Sequence, residues 1–323
     1  MTVQATPPGD DATSRRVVAS VVVSYNTSRL APLAVRSVLD AGADSVVVVD
    51  NASPRPGEWE SLTSQLGEVD HVLLHRAERN DGFGAGVNLG LSLLPAGTTH
   101  VLLMNPDATL APTALTSMLA ALADAADRAV VAPRIEKSDG SVWSDGGCLD
   151  LAAGSTRRRE GPPSADVTRE TFLTGAVLLM PLAVLDEVGP IREDLFMYWE
   201  DADFSRRASA AGVPLILDHR AGAVHDAGAS STGRAGSAKS ALWHYYVNRN
   251  RLVVCREQGA SRVGLLLGPG RRATRSLLAT AYRSDDRQAC LVAAARGILA
   301  GWRYDLGGRG ARGPRPPSTR ARA

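Results

Sequence analysis

Short runs of apolar, mostly β-branched residues recur along the first 133 residues of the chain. They are VVASVVV (17–23), SVVVVDNAS (45–53), HVLLH (71–75), THVLLMN (99–105) and AVVAP (129–133). Segments with helical spacing lie between them, at 28–40, 84–94 and 112–126. Strands that are apolar on both faces and alternate with helices are typical of a parallel sheet covered by helices on both sides. The sequence therefore predicts an α/β fold, with a Rossmann-like, mostly parallel sheet.

The pattern changes after residue 133. Residues 133–165 are rich in Gly, Asp, Ser and Arg, which indicates irregular hairpins and loops. Regular structure returns with TFLTGAVLLM (171–180), a helix ending near Val188, the strand PLILD (214–218) and a long helix over 237–259. We therefore expect one domain over 17–258, divided into halves at 133/134, and a helical extension over 259–306. The compositions of residues 1–16 and 307–323 predict disordered ends.

Charge is distributed unevenly along the chain. The formal net charge is +2, yet the segment from Arg256 to the C-terminus holds 14 arginines, no lysine and 4 acidic residues, a net charge of +10. A basic end on an acidic body indicates an anionic partner, either a membrane or a nucleic acid. Alternatively, Arg simply replaces Lys throughout, because Lys137 and Lys239 are the only lysines. Few aromatic residues accompany these arginines, so we expect no nucleic-acid binding.

The cysteines and the apolar segments indicate the cellular compartment of the protein. Cys148, Cys255 and Cys290 are widely spaced and odd in number, which argues for a reducing compartment. The first 16 residues contain no apolar core of a signal peptide. No apolar run approaches the ~20 residues that span a bilayer. We therefore expect a cytoplasmic protein.

Polar clusters follow three of the predicted strands. They are SYN (24–26), DNAS (50–53) and NPD (105–107). Ligands of open parallel sheets collect at the carboxyl ends of the strands, so these clusters predict a shared nucleotide site. Between the second and third lies RNDGFGAGVNLGLSLL (79–94), whose glycines do not fit the G-x-G-x-x-G spacing. It predicts a glycine turn before a helix, suited to close approach of a ligand or simply a tight loop.

Asp107 and His225 are candidate metal ligands. A Mg²⁺ ion that bridges phosphates needs only one or two protein carboxylates, and Asp107 follows a strand end, two residues after Asn105. His225, in AVHDAG, is a candidate second ligand. Each residue also has an ordinary alternative, as a turn residue or a structural histidine.

Three carboxylates lie within YWEDADFSRR (198–207), at the start of a predicted helix. The positive end of the helix dipole favours acidic residues there, so the cluster alone does not distinguish a helix start from a catalytic group.

Taken in order, these motifs resemble family 2 glycosyltransferases of the GT-A fold. The resemblance rests on VVVSYNTSRL, VVVVDNAS, NDGFGAGVNLG, LLMNPDA, FLTGAVLLM, YWEDADFSRR, AVHDAG and HYYVNRNRL, and it covers roughly residues 17–256. Within the family, the chain is most similar to the rhamnosyltransferase-like branch of bacterial cell-wall polysaccharide synthesis.

The resemblance implies a nucleotide-sugar donor, a divalent cation (Mg²⁺ or Mn²⁺) and inversion at the anomeric carbon. The NPD stretch stands in the place of the family's D-x-D motif, which makes Asp107 the metal-binding carboxylate. His225 matches the family's late His near the metal and is implied as the second ligand. The donor-binding residues implied in this way are Ser24, Tyr25, Asn26, Asp50, Asn51, Asn80, Asp81, Gly82, Asn105 and Arg249. Two positions depart from the family pattern, since Asn105 replaces the first Asp of D-x-D and Val87 replaces a second Asn. For Arg249, a solvated helix face is the alternative.

Sugar transfer by direct displacement needs a base opposite the leaving group. By family analogy Asp201 is that base, and Glu200 orients it or exchanges roles with it. Asp203 caps the helix or pairs with Arg206 or Arg207. Trp199 and Gly175 are the acceptor-binding candidates, with a core position as the alternative for Trp199.

The branch resembled predicts transfer of L-rhamnose from dTDP-rhamnose to a polyprenyl-diphosphate-linked saccharide. The alternative is a catalytically silent nucleotide-sugar-binding module. A nucleotidylyltransferase is disfavoured, because SYNTSRLAP lacks a loop rich in Gly and basic residues.

The helical segment QACLVAAARGILAGWRY (288–304) carries an apolar stripe with arginines beside it. That pattern predicts either an interfacial helix, in a protein peripheral to the inner face of the cell membrane, or a helix packed on the domain.

Overall fold

The computed structural model describes residues 15–157, 165–225 and 239–306. The strands are β1 (Val18–Ser24), β2 (Ser45–Asp50), β3 (Val72–Arg76), β4 (His100–Met104), β5 (Ala108–Leu110), β6 (Val130–Glu136), β7 (Val142–Ser144), β8 (Cys148–Asp150), β9 (Ser155–Arg157), β10 (Val167–Glu170), β11 (Val177–Pro181) and β12 (Leu215–His225). The helices are α1 (Ala31–Asp40), α2 (Glu58–Leu66), α3 (Phe83–Ser92), α4 (Ala114–Asp124), α5 (Leu182–Val188), α6 (Glu200–Ala210), α7 (Ala241–Glu257), α8 (Arg262–Leu267), α9 (Arg271–Tyr282) and α10 (Arg287–Arg303). The predicted disordered ends lie almost wholly outside these ranges.

The first half of the chain forms a parallel sheet in the order β3-β2-β1-β4. Its inner strands β2, β1 and β4 are almost wholly apolar because both of their faces are covered. The edge strand β3 is only partly covered and leaves Leu73 44% exposed. On β1, Val18 and Val22 pack in the core with α1, α2 and α4, whereas Val21 and Val23 pack in the core with α3, α5 and α6. The apolar runs that form β1, β2 and β4 are thus buried on both faces, as predicted, whereas the run that forms β3 is not.

The sheet changes character beside β4. Strand β11 pairs antiparallel with β4, and β6, β12 and β10 complete the sheet, so the second half is mixed. Strand β5, which leads away from β4, pairs with the end of β12. This pairing brings two segments that are about 115 residues apart in sequence to the same edge. The predicted α/β sheet flanked by helices, with a helical C-terminal region, is confirmed.

Helix α10 packs on α7 through its small residues. A side-chain carbon added at Gly297 would lie 2.2 Å from the carbonyl oxygen of Tyr245, and one added at Gly301 would lie 2.6 Å from that of Arg249. Cys290 and Ala294 are buried on the same side. The two alternatives for this helix were an interfacial helix and a helix packed on the domain. Packing on the domain is correct for the face that carries these four small residues. Within the described ranges, no helix is long and apolar enough to cross a bilayer.

Candidate active site

The strand ends of the parallel half meet at one edge of the sheet. Ser24 is in register with Asp50, and Asp50 with Arg76. The Asp50 carboxylate is fully buried, accepts a hydrogen bond from the Ser53 hydroxyl and lies 3.3 Å from Nε of Arg76. Ser24 bonds the Thr27 hydroxyl, at 2.8 Å. The edge is thus polar and ordered, as the sequence predicts.

Arg76 is a functional candidate that the sequence reasoning missed. Its guanidinium lies 5.9 Å from the ring centroid of Trp59 and pairs with Asp50, while nearly half of the side chain stays exposed. The available signal was its position directly after the third apolar run. Tyr25 is also exposed at this edge, and the Asn26 N–H donates to Ser53 Oγ at 2.8 Å.

Two asparagines hold the glycine turn. The Asn51 side-chain amide donates to Asn80 Oδ1 (3.1 Å) and to the Gly82 carbonyl (2.9 Å), and the Gly82 N–H donates back to Asn80 Oδ1 (2.9 Å). Asp81 instead pairs with exposed Arg79, at 2.6 Å. Their roles toward a donor stay predictions.

The glycines of this turn are explained by close packing. Gly82 has φ +103°, and a Cβ there would lie 2.4 Å from the Phe196 carbonyl oxygen. A Cβ at Gly86 would lie 2.7 Å from Val23, on β1. The turn therefore contacts both the sheet and the loop that carries the acid cluster of the second half.

Asn105, Asp107 and His225 come together where β5 meets β12. His225 Nε2 lies 3.1 Å from Asp107 Oδ1 and 3.3 Å from the Asn105 side-chain amide, and His225 and Asp107 are nearly fully buried. The Trp143 ring packs on the imidazole, with centroids 4.2 Å apart. The predicted metal ligands are thus neighbours.

The donor chemistry of this pair fits a divalent cation that also binds the substrate. The described residues contain no group of three or more His, Cys, Asp and Glu side chains that could hold a metal ion. One carboxylate and one imidazole satisfy only part of an octahedral shell, so phosphate oxygens and water would have to supply the rest.

The acid pair, Glu200 and Asp201, lies in the first turn of α6. It follows Trp199, whose backbone is in the left-handed region (φ 73°). Asp201 accepts hydrogen bonds from the N–H groups of Gly175 (3.2 Å) and Ala202 (2.8 Å). Burial raises the pKa of Asp201, against these hydrogen bonds. Burial, followed by the charge of Asp201, raises the pKa of Glu200 to about 8. Both carboxyls of the pair therefore hold a proton more readily than exposed ones do, and the charge of Asp201 is one reason why Glu200 does so.

Asp203 has a separate structural role. It is buried and pairs with Arg207 at 2.7 Å and with Arg206 at 3.5 Å. Arg192 lies 3.6 Å from the same carboxylate. The predicted pairing within the helix is confirmed.

A cavity of about 210 Å³ opens beside the acid pair. Its lining residues are Thr156, Phe172, Tyr198, Trp199, Glu200, Asp201, Ala202 and Val247. Trp199 both lines this cavity and packs on the buried residues Leu252, Cys255 and Leu265. Its cavity-wall and core positions are thus compatible.

Residues 175 and 176 connect the acid pair to the candidate metal ligands. The Gly175 N–H donates to Asp201, and the Ala176 carbonyl accepts from the Asn105 N–H at 2.8 Å. Burial, with the charges of Glu200 and Asp107, raises the pKa of Tyr198 to about 12. The two halves of the sheet therefore place their carboxylates around one site.

Asn250 on α7 is the second residue that sequence reasoning missed. Its side-chain amide donates to the carbonyls of Leu195, Met197 and Tyr198, each at 2.8 Å. In this loop, which leads to the acid pair, Phe196, Tyr198 and Trp199 all have positive φ. Side chains disfavour that backbone region, so the loop needs such an external tie. No local sequence pattern reveals partners more than 50 residues away.

Arg249, beside it, is 2% exposed, so the solvated-face alternative is wrong. Its guanidinium donates to the Asp194 carbonyl at 3.1 Å and to Asn250 Oδ1 at 2.6 Å, and it lies 5.3 Å from the ring centroid of Tyr304. These contacts tie α7 to the loop before α6 and to Tyr304, which follows α10. A role toward a diphosphate stays a prediction.

Replacing Glu200 by Gln should stabilise the fold increasingly as pH rises from about 5 to about 8. The pKa of Glu200 is raised from 4.5 to about 8, so its contribution is fully present below 4.5 and is lost as pH rises through about 8. Gln imitates the protonated carboxyl and keeps that contribution. Urea denaturation across this pH range measures the difference. Exposed Glu60→Gln is the control, and a difference that does not change with pH would contradict the assignment.

Comparisons with known proteins agree with this architecture. Residues 20–165 match the model of the family described as Glycosyl transferase family 2. No curated protein matches the chain in sequence. The rhamnosyltransferase-like branch stays a prediction.

Two solved structures with GT-A folds are similar to the chain. One is GalNAc-T7 with UDP, GalNAc and Mn²⁺, at TM-score 0.58 and 16% identity, over 76% of this chain and 48% of that chain. The other is the mannosyltransferase PcManGT from Pyrobaculum calidifontis with GDP-Man and Mn²⁺, at TM-score 0.55 and 16% identity, over 90% and 82%. The chain spans about half the length of the first. At this identity the likeness establishes the fold, and the predicted GT-A architecture is confirmed.

Proposed function

We propose that the protein is a metal-dependent inverting glycosyltransferase. The observation that carries the proposal is the link through residues 175 and 176, which joins Asp201 on one side to the Asn105–Asp107 strand end on the other. A base and a candidate metal pair around one site are what displacement at an anomeric carbon requires. The family model over residues 20–165 supports glycosyl transfer as the reaction.

Asp201 acts as the general base. The acceptor oxygen attacks the anomeric carbon, the bond from that carbon to the diphosphate oxygen breaks, and the hydroxyl proton passes to Asp201. A carboxylate whose pKa is raised accepts the proton more readily than an ordinary one while it remains ionised. The protonated Glu200 beside it adds no second charge, and the backbone N–H groups of Gly175 and Ala202 fix the carboxylate.

Asp107 and His225 hold the cation, either Mg²⁺ or Mn²⁺. When bound, that ion stabilises the charge that develops on the departing nucleoside diphosphate. Both solved neighbours contain Mn²⁺ and a nucleotide or nucleotide sugar, which supports this class of cofactor and donor.

The finer identity of the substrates is part of the proposal. From the motifs of the branch resembled, the donor is dTDP-rhamnose and the acceptor a polyprenyl-diphosphate-linked saccharide. The cavity beside Trp199 and Asp201 is the acceptor subsite in this proposal. Gly175 is not one of its lining residues, and it acts there through Asp201, to which its N–H donates. Such an acceptor agrees with a location at the inner face of the cell membrane.

A donor screen tests the proposal. The full chain is incubated with dTDP-, UDP- and GDP-sugars, a lipid-diphosphate-GlcNAc acceptor and Mg²⁺ or Mn²⁺, and the released nucleoside diphosphate is measured. We expect release that needs both acceptor and metal. Binding of a nucleotide sugar with no transfer from any donor would instead favour the silent module.

Asn250→Ala should lower acceptor turnover about 10- to 100-fold, because displacing a catalytic group by about 1 Å has costs of this size. The loss should fall mainly on kcat, with the KM for the donor unchanged, since Asn250 acts through the loop before Asp201. The assay is steady-state kinetics with both substrates varied.

Asn248→Ala is the matched control. Asn248 is equally buried on the same helix, yet its amide donates to the His244 carbonyl one turn away. Both variants should lose stability, but only Asn250→Ala should lose turnover. If the two variants were equally stable and lost the same fraction of kcat, Asn250 would have only a structural role.

A further inference from the structure

The α8–α9 hairpin (residues 262–282) has an unusual surface. Residues 258–284 contain five arginines and no acidic residue. The three most exposed large apolar side chains of the described residues all lie in the hairpin, Leu267 (72%), Tyr282 (60%) and Val263 (59%). Single exposed apolar residues are common, but clustering in one basic hairpin is not.

The hairpin is fixed to the domain from its inner side. Buried Arg251 of α7 donates to the Leu265 carbonyl (3.3 Å) and to the Thr274 hydroxyl (2.6 Å), and thereby ties α8 to α9. Arg262 lies 5.6 Å from the Trp302 ring centroid, which connects α8 to the end of α10. The exposed side chains therefore project from an ordered element.

The same hairpin forms the back of the cavity wall. Leu265 and Leu266 pack in one cluster with Trp199, whose side chain lines the cavity beside Asp201. On the opposite side of this short helix, Val263 and Leu267 are exposed. One turn of helix thus separates the cavity wall from the exposed apolar surface.

We propose that the α8–α9 hairpin docks on an anionic membrane surface. Val263 and Leu267 enter the interface between headgroups and acyl chains. The lipid phosphates are bound by Arg271, Arg272 and Arg275. One or two such arginines raise the affinity for the membrane about tenfold. Charge complementarity identifies the partner, because residues 262–282 contain four arginines and no acidic residue, and such a surface is attracted to anionic lipid and not to a neutral or cationic surface. Docking would hold the cavity beside the bilayer, where a lipid-linked acceptor lies.

Vesicle co-sedimentation of the full chain tests this docking without any activity measurement, so it is independent of the proposed reaction. Vesicles of phosphatidylcholine with about 30 mol % phosphatidylglycerol are compared with phosphatidylcholine alone. We expect binding to the anionic vesicles only, and release at about 1 M salt. Val263→Ser with Leu267→Ser, and Arg271→Gln with Arg272→Gln, should each lower the partition coefficient about tenfold.

Two matched controls locate the surface. Arg29→Gln with Arg36→Gln changes the net charge equally at exposed positions in the first half of the chain, and should leave binding unchanged. Val292→Ser with Leu299→Ser removes two exposed apolar residues of α10 and should also bind as wild type. A loss confined to the α10 variant, equal binding to neutral vesicles, or a dimer in solution that the hairpin variants dissociate would overturn the proposal. Circular dichroism confirms that each variant is folded.

Discussion

Asp201→Asn should lower kcat by about 10²- to 10⁴-fold, the range that a positioned general base contributes. An amide cannot accept the proton of the acceptor hydroxyl, yet it keeps the volume of the carboxyl at a half-buried position. The Gly175 N–H can still donate to the amide oxygen. The KM for the donor should therefore change little, since nothing in the donor pocket is altered. The rate of nucleoside diphosphate release, measured at saturating donor, gives the ratio of the kcat values of the variant and the wild type.

Glu200→Gln is the natural control for this experiment. Glu200 carries the proton of the pair near neutral pH, because burial and the charge of Asp201 raise its pKa to about 8. The amide imitates that state, so kcat should fall far less than in Asp201→Asn. Were the losses reversed, the two carboxyls would have to exchange roles. Activity of the wild type should also decline as pH falls through the raised pKa of Asp201, at higher pH than for an exposed aspartate.

The parallel half could be predicted because burial on both faces leaves a pattern in the sequence. The inner strands there must be apolar on both faces, as Val21 and Val22 of β1 show by packing in opposite cores. Polar residues can then stand only at the ends, which is why SYN, DNAS and NPD locate the edge of the sheet. Helix α2, by contrast, buries only Leu62 and Leu66, and so leaves too weak a pattern to detect.

The second half was less predictable because long-range contacts determine it. Strand β12 continues past an irregularity between Asp218 and Gly222 to reach His225, so the predicted strand over 214–218 ended too early. Only that continuation, paired with β5, places His225 beside Asp107. The residues alone left His225 open between a second metal ligand and a structural histidine, and the resemblance to a family favoured the ligand.

Residue chemistry also proved ambiguous without the fold. Arg249 is a candidate because it is a cation, but its neighbour Asn250 makes three bonds to the loop that leads to Glu200 and Asp201. An amide offers two donors and no charge, so nothing marks it in the sequence. The glycine turn over 79–94 likewise suits either the approach of a ligand or a tight loop alone, and close packing at Gly82 and Gly86 accounts for these two glycines without a ligand.

Asp107→Asn should lower turnover by about 10²- to 10³-fold, since a metal ion that stabilises a leaving group is worth several kcal/mol. The amide is a far weaker ligand than a carboxylate, and Asn105 already replaces the other acidic position of the motif, so Asp107 and His225 are left to hold the cation. The Mn²⁺ concentration for half-maximal activity should rise, and part of the activity should return at high Mn²⁺. Calorimetric titration of Mn²⁺ into the protein with bound nucleoside diphosphate measures the affinity directly.

The pair of His100 and Asp127 provides the control. It is a second imidazole–carboxylate pair, 3.7 Å apart, but His100 begins β4 while Asn105 follows the other end of that strand. Asp127→Asn should therefore leave both the Mn²⁺ requirement and the measured affinity unchanged, even if stability falls. If Asp107→Asn bound Mn²⁺ as tightly as wild type, the cation would have to lie elsewhere. The proposal that Asp201 and the Asp107–His225 pair act in the same reaction would then be wrong.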